Sequence, residues 1–322
     1  MNRGTLLKLG ISLVFVALLV RTVSGGDLVS TISRVKPSWL LSSLGVTVLM
    51  FFISTLKWHY ILRLQGHRVP FFSLVRQYLI GYYFSNLLPS NVGGDVVRAT
   101  YIGKTIGSTS TAMVSVFLER VTGLVLLLIL ALATPLITPN LIKKPEVIAP
   151  LAVAFGGLIV IVAMFALRDP ISIGRKFFPT RILVPIFNGL DAFHQKLLEA
   201  LKCVKARPSS LLPITSYTLT FYILTWINVY VSFRAFGLTP AWNSVITITP
   251  IVMLVSALPL APLGNLGFAE FSYTHYFSLV GVANAPVIAM ALLLRFKLII
   301  LAICGMIAHM TYAPDERYTP TT

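Results

Sequence analysis

The chain contains six stretches that stay apolar for long enough to cross a bilayer as helix, at 6–23, 38–56, 108–138, 147–167, 209–233 and 284–311. Crossing the hydrocarbon takes about 20 predominantly apolar residues, and a chain with six such runs has few ways to fold outside lipid. Charged residues make up 11% of the sequence and hydrophobic ones 56%, whereas a water-soluble domain carries about 25% charged residues to cover its surface. The predicted class is therefore an all-α polytopic integral membrane protein, a single transmembrane domain over 1–322. The first run, LLKLGISLVFVALLVRTV, has the positive flank of a signal peptide in Arg3 and Lys8. It is long for one and lacks a good small-x-small cleavage site, so it is expected to remain as a helix.

Two further apolar stretches are interrupted. Residues 71–105 (FFSLVRQYLIGYYFSNLLPSNVGGDVVRATYIGKT) and 242–282 each run into a Leu-Pro, then a Gly-rich turn, then an acidic residue, Asp95 in the first and Glu270 in the second. Proline removes a backbone donor, and irregular backbone at membrane depth survives only where protein or a watery cavity satisfies it. These stretches are expected to be broken, re-entrant hairpins beside the full spans.

Charge orients the scheme. From Arg168 to Arg207 eight basic residues oppose three acidic ones, a net +5, which places this loop in the cytoplasm. Within it, RILVPIFNGLDAFHQKLLEALKCVKA has apolar residues at helical spacing, expected as an amphipathic helix lying either on the inner leaflet or on the protein's own cytoplasmic face. The connector from Lys57 to Arg76 is basic too. Both connectors face inward only if 71–105 enters and leaves from one side; both termini are then cytoplasmic. The second hairpin enters from the opposite side, so the halves are expected to be inverted, a transporter plan. Arg34 and Lys36 fall on the unfavoured side. The overall net charge of +16 fits cytoplasmic loops against anionic lipid better than nucleic acid, since no basic stretch interleaves with aromatics outside an apolar context.

The ionisable residues inside apolar sequence are functional candidates by default. Pro89, Gly93 and Gly94 permit a turn that leaves free N–H groups at a helix start, where Asp95 either caps the helix or serves a site. Arg98, three residues on, either pairs with Asp95 or offers a planar fork to a lipid phosphate, with Arg76 as a second cation. Glu119 and Arg120 head a long apolar run, as a cavity pair or a snorkelling interface pair. Arg295 and Lys297 stand well inside the last span, and one of them is expected to partner Glu270. Trp226 and Asn228 either line the same cavity or supply an interhelical hydrogen bond.

No Gly-x-Ser-x-Gly elbow, P-loop or His-rich metal pattern occurs, so no catalytic residues, metal or cofactor are expected. Cys203 and Cys304 lie in unlike environments, which argues against a disulfide.

NLLPSNVGGDVVRATYIGK, SVFLERVTGLVLL and ALPLAPLGNLGFAEFSY resemble the lysylphosphatidylglycerol synthase transmembrane-region family, also described as flippase-like domain proteins, over nearly the whole chain. The resemblance implies an inner-membrane protein with re-entrant helices and a lipid-accessible cavity. By matching positions it marks Asn86, Pro89, Gly93, Gly94, Asp95, Arg98, Glu119, Arg120, Gly264, Gly267 and Glu270. Full-length synthases append a soluble aminoacyl-transferring domain; this chain runs to Thr322 after APDERYTPTT, so synthase activity is not expected. The second glycine cluster, Gly264-Asn265-Leu266-Gly267, is looser than the first.

The leading expectation is a passive or ion-coupled flippase or scramblase-like transporter for a phospholipid, aminoacyl-phospholipid or polyprenyl-linked lipid. The alternative is a membrane glycosyltransferase or accessory subunit acting on polyprenyl phosphate, with Asp95 or Glu270 as base; a third reading is a scaffold for a lipid-modifying complex. The expected partners are anionic phospholipid or lipid-linked substrate, with no nucleic acid, and Gly156-Gly157 hints at close packing within or between chains, as in a homo-oligomer.

Overall fold

The computed structural model describes residues 25–87, 93–166, 207–257 and 266–311, with Gln195, Leu198, Lys202 and Val204 between them. The run at 6–23 and nearly all of the 168–207 loop lie outside the described residues, as do Pro89 and Gly264. Every regular element among the described residues is helical. A short helix α1 (Gly25–Ser33) leads into α2 (Pro37–Leu64), α3 (Phe71–Leu87), α4 (Gly93–Ile106), α5 (Thr109–Ala133) and α6 (Pro145–Ala166). After the loop come α7 (Leu211–Ala235), α8 (Trp242–Ala257), α9 (Phe268–Ser278) and α10 (Asn284–Met310).

Five helical stretches are long and apolar enough to cross a membrane: 37–64, 109–137, 145–163, 208–235 and 284–310. They coincide with five of the six expected spans. The chain is an all-α polytopic membrane protein. One boundary differs: α2 continues eight residues past the expected end at 56, through Lys57, Trp58 and His59. Trp58, Ile61 and Leu62 are fully buried, so packing carries the helix beyond its first charges. The helix stops where Gly66 takes a left-handed φ of 89°, a conformation that costs other residues more.

Besides α1, four helices are short. α3, α4, α8 and α9 have 17, 14, 16 and 11 residues, each below the roughly 20 a crossing needs. Their partners set their direction. α2 and α7 lie antiparallel: the Lys36 N–H donates to the Ala235 carbonyl at 2.8 Å at one end, and the Tyr60 and Tyr217 rings meet at 6.3 Å at the other. At the end holding Tyr60, the Phe71 ring abuts His59 (5.9 Å), and Trp58 Nε1 donates to Ser115 Oγ (2.9 Å). α3 therefore starts, and α5 starts, at this first end of the bundle, and the α3–α4 hairpin returns to the end it leaves.

The α8–α9 hairpin does the same at the second end. Trp242 stacks on Tyr230 near the end of α7 (4.0 Å), and the Thr247 hydroxyl donates to the Thr134 carbonyl at the end of α5 (3.0 Å). Phe277 of α9 packs on Phe233 (4.9 Å), and Tyr276 donates to the Glu146 carbonyl at the start of α6 (3.1 Å). Val287 and Met290, at the start of α10, share that core with Val229 and Phe233.

The described helices thus include two like units, α2-α3-α4-α5 and α7-α8-α9-α10, running in opposite directions. Long helices of 28 and 25 residues open them and helices of 25 and 27 close them. The close fit depends on two glycines. A side chain at Gly94 would collide with the Gly81 carbonyl and with Ser85, and one at Gly305 with the Leu79 carbonyl. Backbones approach here as small residues permit between helices in lipid.

Two outcomes are expected. With Cys203 and Cys304 replaced, a membrane-impermeant maleimide should label Arg68→Cys and Ser110→Cys from one face of sealed vesicles, and Thr239→Cys and Ala283→Cys from the other. Labelling of all four from one face would refute the opposed units. Gly305→Val should lower the melting temperature in detergent, about 1–3 kcal/mol of overpacking, whereas Gly156→Val, which meets nothing within 4 Å, should not.

Candidate functional site

The direct contact of Gly94 with α3 brings the first turn of α4 against α5, and Asp95 is the acidic residue of that turn. Arg120 of α5 grips it with two parallel hydrogen bonds, Nε to Oδ2 at 2.7 Å and Nη2 to Oδ1 at 2.9 Å. Arg98, one turn along α4, adds a third through Nε to Oδ1 at 3.1 Å. This fork geometry is the strong form of a carboxylate–guanidinium pair.

A second acid holds the other side of Arg98. Glu119 Oε2 lies 2.8 Å from Arg98 Nη2, and Glu119 Oε1 accepts the Tyr78 hydroxyl at 2.6 Å. The Arg98 guanidinium is sandwiched between the rings of Trp58 and Tyr78, at 4.6 and 4.4 Å, where the π faces attract the cation. Lys57 completes the cluster by donating to the Glu119 backbone carbonyl at 2.9 Å. Arg98 is 1% exposed, and among the described residues its Nη1 has no hydrogen-bond partner. Arg120, in contrast, leaves 62% of its side chain accessible. The cluster is sealed at Arg98 and open at Arg120.

The second unit repeats the bridge. Gly267 takes a φ of 82°, and its N–H is accepted by Glu270 Oε2 at 2.8 Å, so Glu270 caps the start of α9 from its third position. The same carboxylate is gripped by Arg295 of α10, Nε to Oε1 at 2.7 Å and Nη2 to Oε2 at 3.2 Å. Arg295 is therefore the partner of Glu270, and Lys297 is not. The spacing is shared: acid and arginine are 25 residues apart in both bridges.

Lys297 sits in a separate cage. It is 1% exposed, and its ammonium donates to Ser43 Oγ (2.6 Å), Asn228 Oδ1 (2.6 Å) and Ser232 Oγ (3.1 Å). Three neutral oxygens from α2 and α7 match the three donors of an ammonium. Asn228 thus makes the interhelical bonds that were one of its two expected roles, whereas Trp226 is only partly buried. Arg76 lies apart from the arginine cluster in its contacts, donating to the Ala308 carbonyl at 3.2 and 3.1 Å and to the Thr311 hydroxyl at 3.3 Å. Asn86 donates to the Tyr82 carbonyl at 2.9 Å, a local helix bond.

Sequence reasoning passed over Lys57 as a site residue, and Trp58, Tyr78, Ser43 and Ser232 entirely. The available signal was weak: apolar residues resume after Lys57-Trp58 in "YIL", as they do after Arg295 and Lys297. Among the described residues no three His, Cys, Asp or Glu side chains gather as a metal site. The carboxylates are committed to guanidiniums.

The sequence matches the profile of the family described as lysylphosphatidylglycerol synthase TM region over residues 5–305. The chain belongs to this family. It is also similar to two proteins of Methanothermobacter thermautotrophicus, each named a UPF0104 membrane protein. One is 24% identical over 299 residues, covering 88% of this chain and 87% of the relative. The other is 22% identical over 335 residues, covering 97% and 94%. Family membership and the five apolar helices together make this a multi-pass membrane protein, and the match covers the membrane region of the synthases only.

Removing one partner of the Arg98–Glu119 pair leaves a buried charge uncompensated, which typically costs about 3–5 kcal/mol. Glu119→Leu should therefore lower the melting temperature in detergent sharply. The double change Arg98→Tyr with Glu119→Leu should recover much of the loss, because Tyr273 and Leu294 stand at the equivalent places relative to Glu270 and Arg295. Additive losses in the double variant would show that the two side chains do not stabilise each other.

Proposed function

We propose that this protein is a carrier that moves the headgroup of an anionic lipid between leaflets while the acyl chains stay in the membrane. The observation that carries the reading is the pair of carboxylate–arginine bridges, each at the tip of a short hairpin that returns to its own end of the bundle. α3–α4 and α8–α9 act as re-entrant segments, one reaching inward from each leaflet. Charges at membrane depth are costly unless paired or facing a polar path, and paired bridges close such a path when no headgroup is present. A phosphate entering beside Arg120 would meet its exposed side chain and the first-turn N–H groups of α4, both suited to anions.

No chemical step is assigned to the chain. Asp95, Glu119 and Glu270 are each engaged by an arginine, which leaves none of these carboxylates free to act as a general base. The proposed placement is the plasma (inner) membrane. The first end faces the cytoplasm, because the basic 168–207 loop joins the end of α6 to the start of α7. The end of α10 lies on the same side, since its Ala308 meets Arg76 near the start of α3.

The test is reconstitution. Purified protein in liposomes should speed the exchange of fluorescent phosphatidylglycerol between leaflets, read as the fraction bleached by external dithionite. Arg120→Ala should slow it about 10- to 100-fold, the worth of a charge-assisted contact, and Glu270→Gln should slow it as well. If the wild-type protein leaves lipid exchange at the protein-free rate, the carrier reading is wrong.

A further inference from the structure

Near the end of α2, Leu56, His59, Tyr60 and Arg63 follow one another at helical spacing and share a face. The opposite face of the same turns carries Lys57, Trp58, Ile61 and Leu62, all buried against the bundle. The outer face is walled on both sides. Phe71 at the start of α3 closes one, its ring 5.9 Å from His59, and Tyr217 near the start of α7 closes the other, its ring 6.3 Å from Tyr60. These six residues line a cavity of about 300 Å³, the lower end of the size range of ligand sites. It lies apart from the Asp95–Arg120 cluster, which the inner face of α2 meets through Lys57 and Trp58.

Polarity is graded along this groove. From Leu56 to Arg63 is about 10 Å of helix, running from an apolar side chain through His59 and Tyr60 to a guanidinium near the end of the bundle. α2 has 28 residues, about 42 Å of helix against about 30 Å of hydrocarbon, so its last turn, with Arg63, stands at headgroup level. Phe72 and Leu212, one beside each wall, stay exposed, as side chains turned to lipid do. α2, α3 and α7 contain no acidic residue, so none of the three helices offers Arg63 a carboxylate.

We propose that this groove binds an anionic phospholipid of the leaflet at the first end, held as a bound lipid rather than as cargo. Arg63 takes the phosphate, the Tyr60 and Tyr217 hydroxyls donate to phosphate and glycerol oxygens, and Leu56 and Phe71 receive the first acyl carbons. The order of polarity in the groove is that of the lipid itself, tails inward and phosphate at the edge. A soluble anion would satisfy Arg63 but leave the apolar inner end unfilled. A choline headgroup also has a phosphate, but it brings a second cation up to Arg63. The bound lipid joins the ends of α2, α3 and α7 on the outer face, behind the turn that presents Trp58 to Arg98.

The experiment counts lipids retained by the full chain in neutral detergent, by native mass spectrometry. Phosphatidylglycerol should bind several-fold more tightly than phosphatidylcholine of equal tail length. Arg63→Gln should weaken phosphatidylglycerol about 5-fold, the worth of one basic residue against anionic lipid. Tyr217→Trp, which fills the groove without changing charge, should weaken it too. Arg68→Gln removes a charge at the same end but outside the groove and should change little. The pattern should persist in Arg120→Ala, where the proposed cargo site is impaired, so it stands whether or not the protein carries lipid. Equal losses in Arg63→Gln and Arg68→Gln would reduce the preference to general charge attraction and overturn the site. Phosphatidylcholine binding as tightly as phosphatidylglycerol overturns the anionic assignment, and displacement of phosphatidylglycerol by an equal concentration of glycerol 3-phosphate overturns the lipid one. If Tyr217→Trp lowers the melting temperature in lipid-free detergent and leaves phosphatidylglycerol binding unchanged, another part of the chain fills the groove and the proposal fails.

Discussion

A carboxylate and a guanidinium joined by two parallel hydrogen bonds form the least costly way to keep ionised groups inside a membrane protein, and this chain does it twice. Each bridge joins the first turn of a short helix to a long spanning helix: Asp95 to Arg120 and Glu270 to Arg295. The short helix alone cannot cross the bilayer, and its first N–H groups have no intrahelical partners. In hydrocarbon those donors would be a heavy penalty. The acid at the helix start answers part of that demand, directly in the case of Glu270, which accepts the Gly267 N–H. The arginine then neutralises the acid and ties the hairpin tip to the wall of the bundle. The bridges thus add to the apolar packing that holds the short helices against the long ones.

The close packing around the bridges follows from that anchoring. Gly94 lets α4 rest on the Gly81 carbonyl, and Gly305 lets α10 cross α3 at Leu79. Contacts this close leave dispersion and backbone approach to do what hydrophobic burial cannot do between helices already in lipid. Arg98 shows the cost of the arrangement and its remedy. A guanidinium that is 1% exposed is tolerated because two acids and two aromatic faces surround it.

Much of this was legible in the sequence because acidic residues are so rare in its apolar runs. Asp95, Glu119 and Glu270 stood out for that reason, and the glycine and proline residues before two of them marked the hairpins. Five spans were readable from length and hydropathy alone. What was not legible was partner choice. Arg295 and Lys297 lie two residues apart, hence on different faces of one helix, and only the packing of α9 against one face decides which meets Glu270. Lys57 was hidden by its position at the end of an apolar run, where a cation ordinarily reaches for the interface; here the Glu119 backbone carbonyl holds it within the bundle. Ser43 and Ser232 carried no signal, since small hydroxyl residues in spanning helices are common and their cation came from a third helix. The shared 25-residue spacing was present in the sequence, but few identical residues drew attention to it.

The two units have diverged where charge is concerned, and the divergence is informative. Counting from the bridging acids and arginines, Arg98 and Glu119 of the first unit correspond to Tyr273 and Leu294 of the second. Both members of the ion pair are neutral there, as expected if losing one alone is far worse than replacing both. The bridges also differ in access, with 62% of the Arg120 side chain exposed against 11% for Arg295. In the carrier proposed above, two identical half-sites would populate two facing states equally, and unequal ones would not. Such a bias would not set the direction of net transport, which a passive carrier takes from the lipid gradient alone. It would set instead the fraction of molecules ready to load from one leaflet, and so the rate at which an anionic headgroup offered from that side is captured.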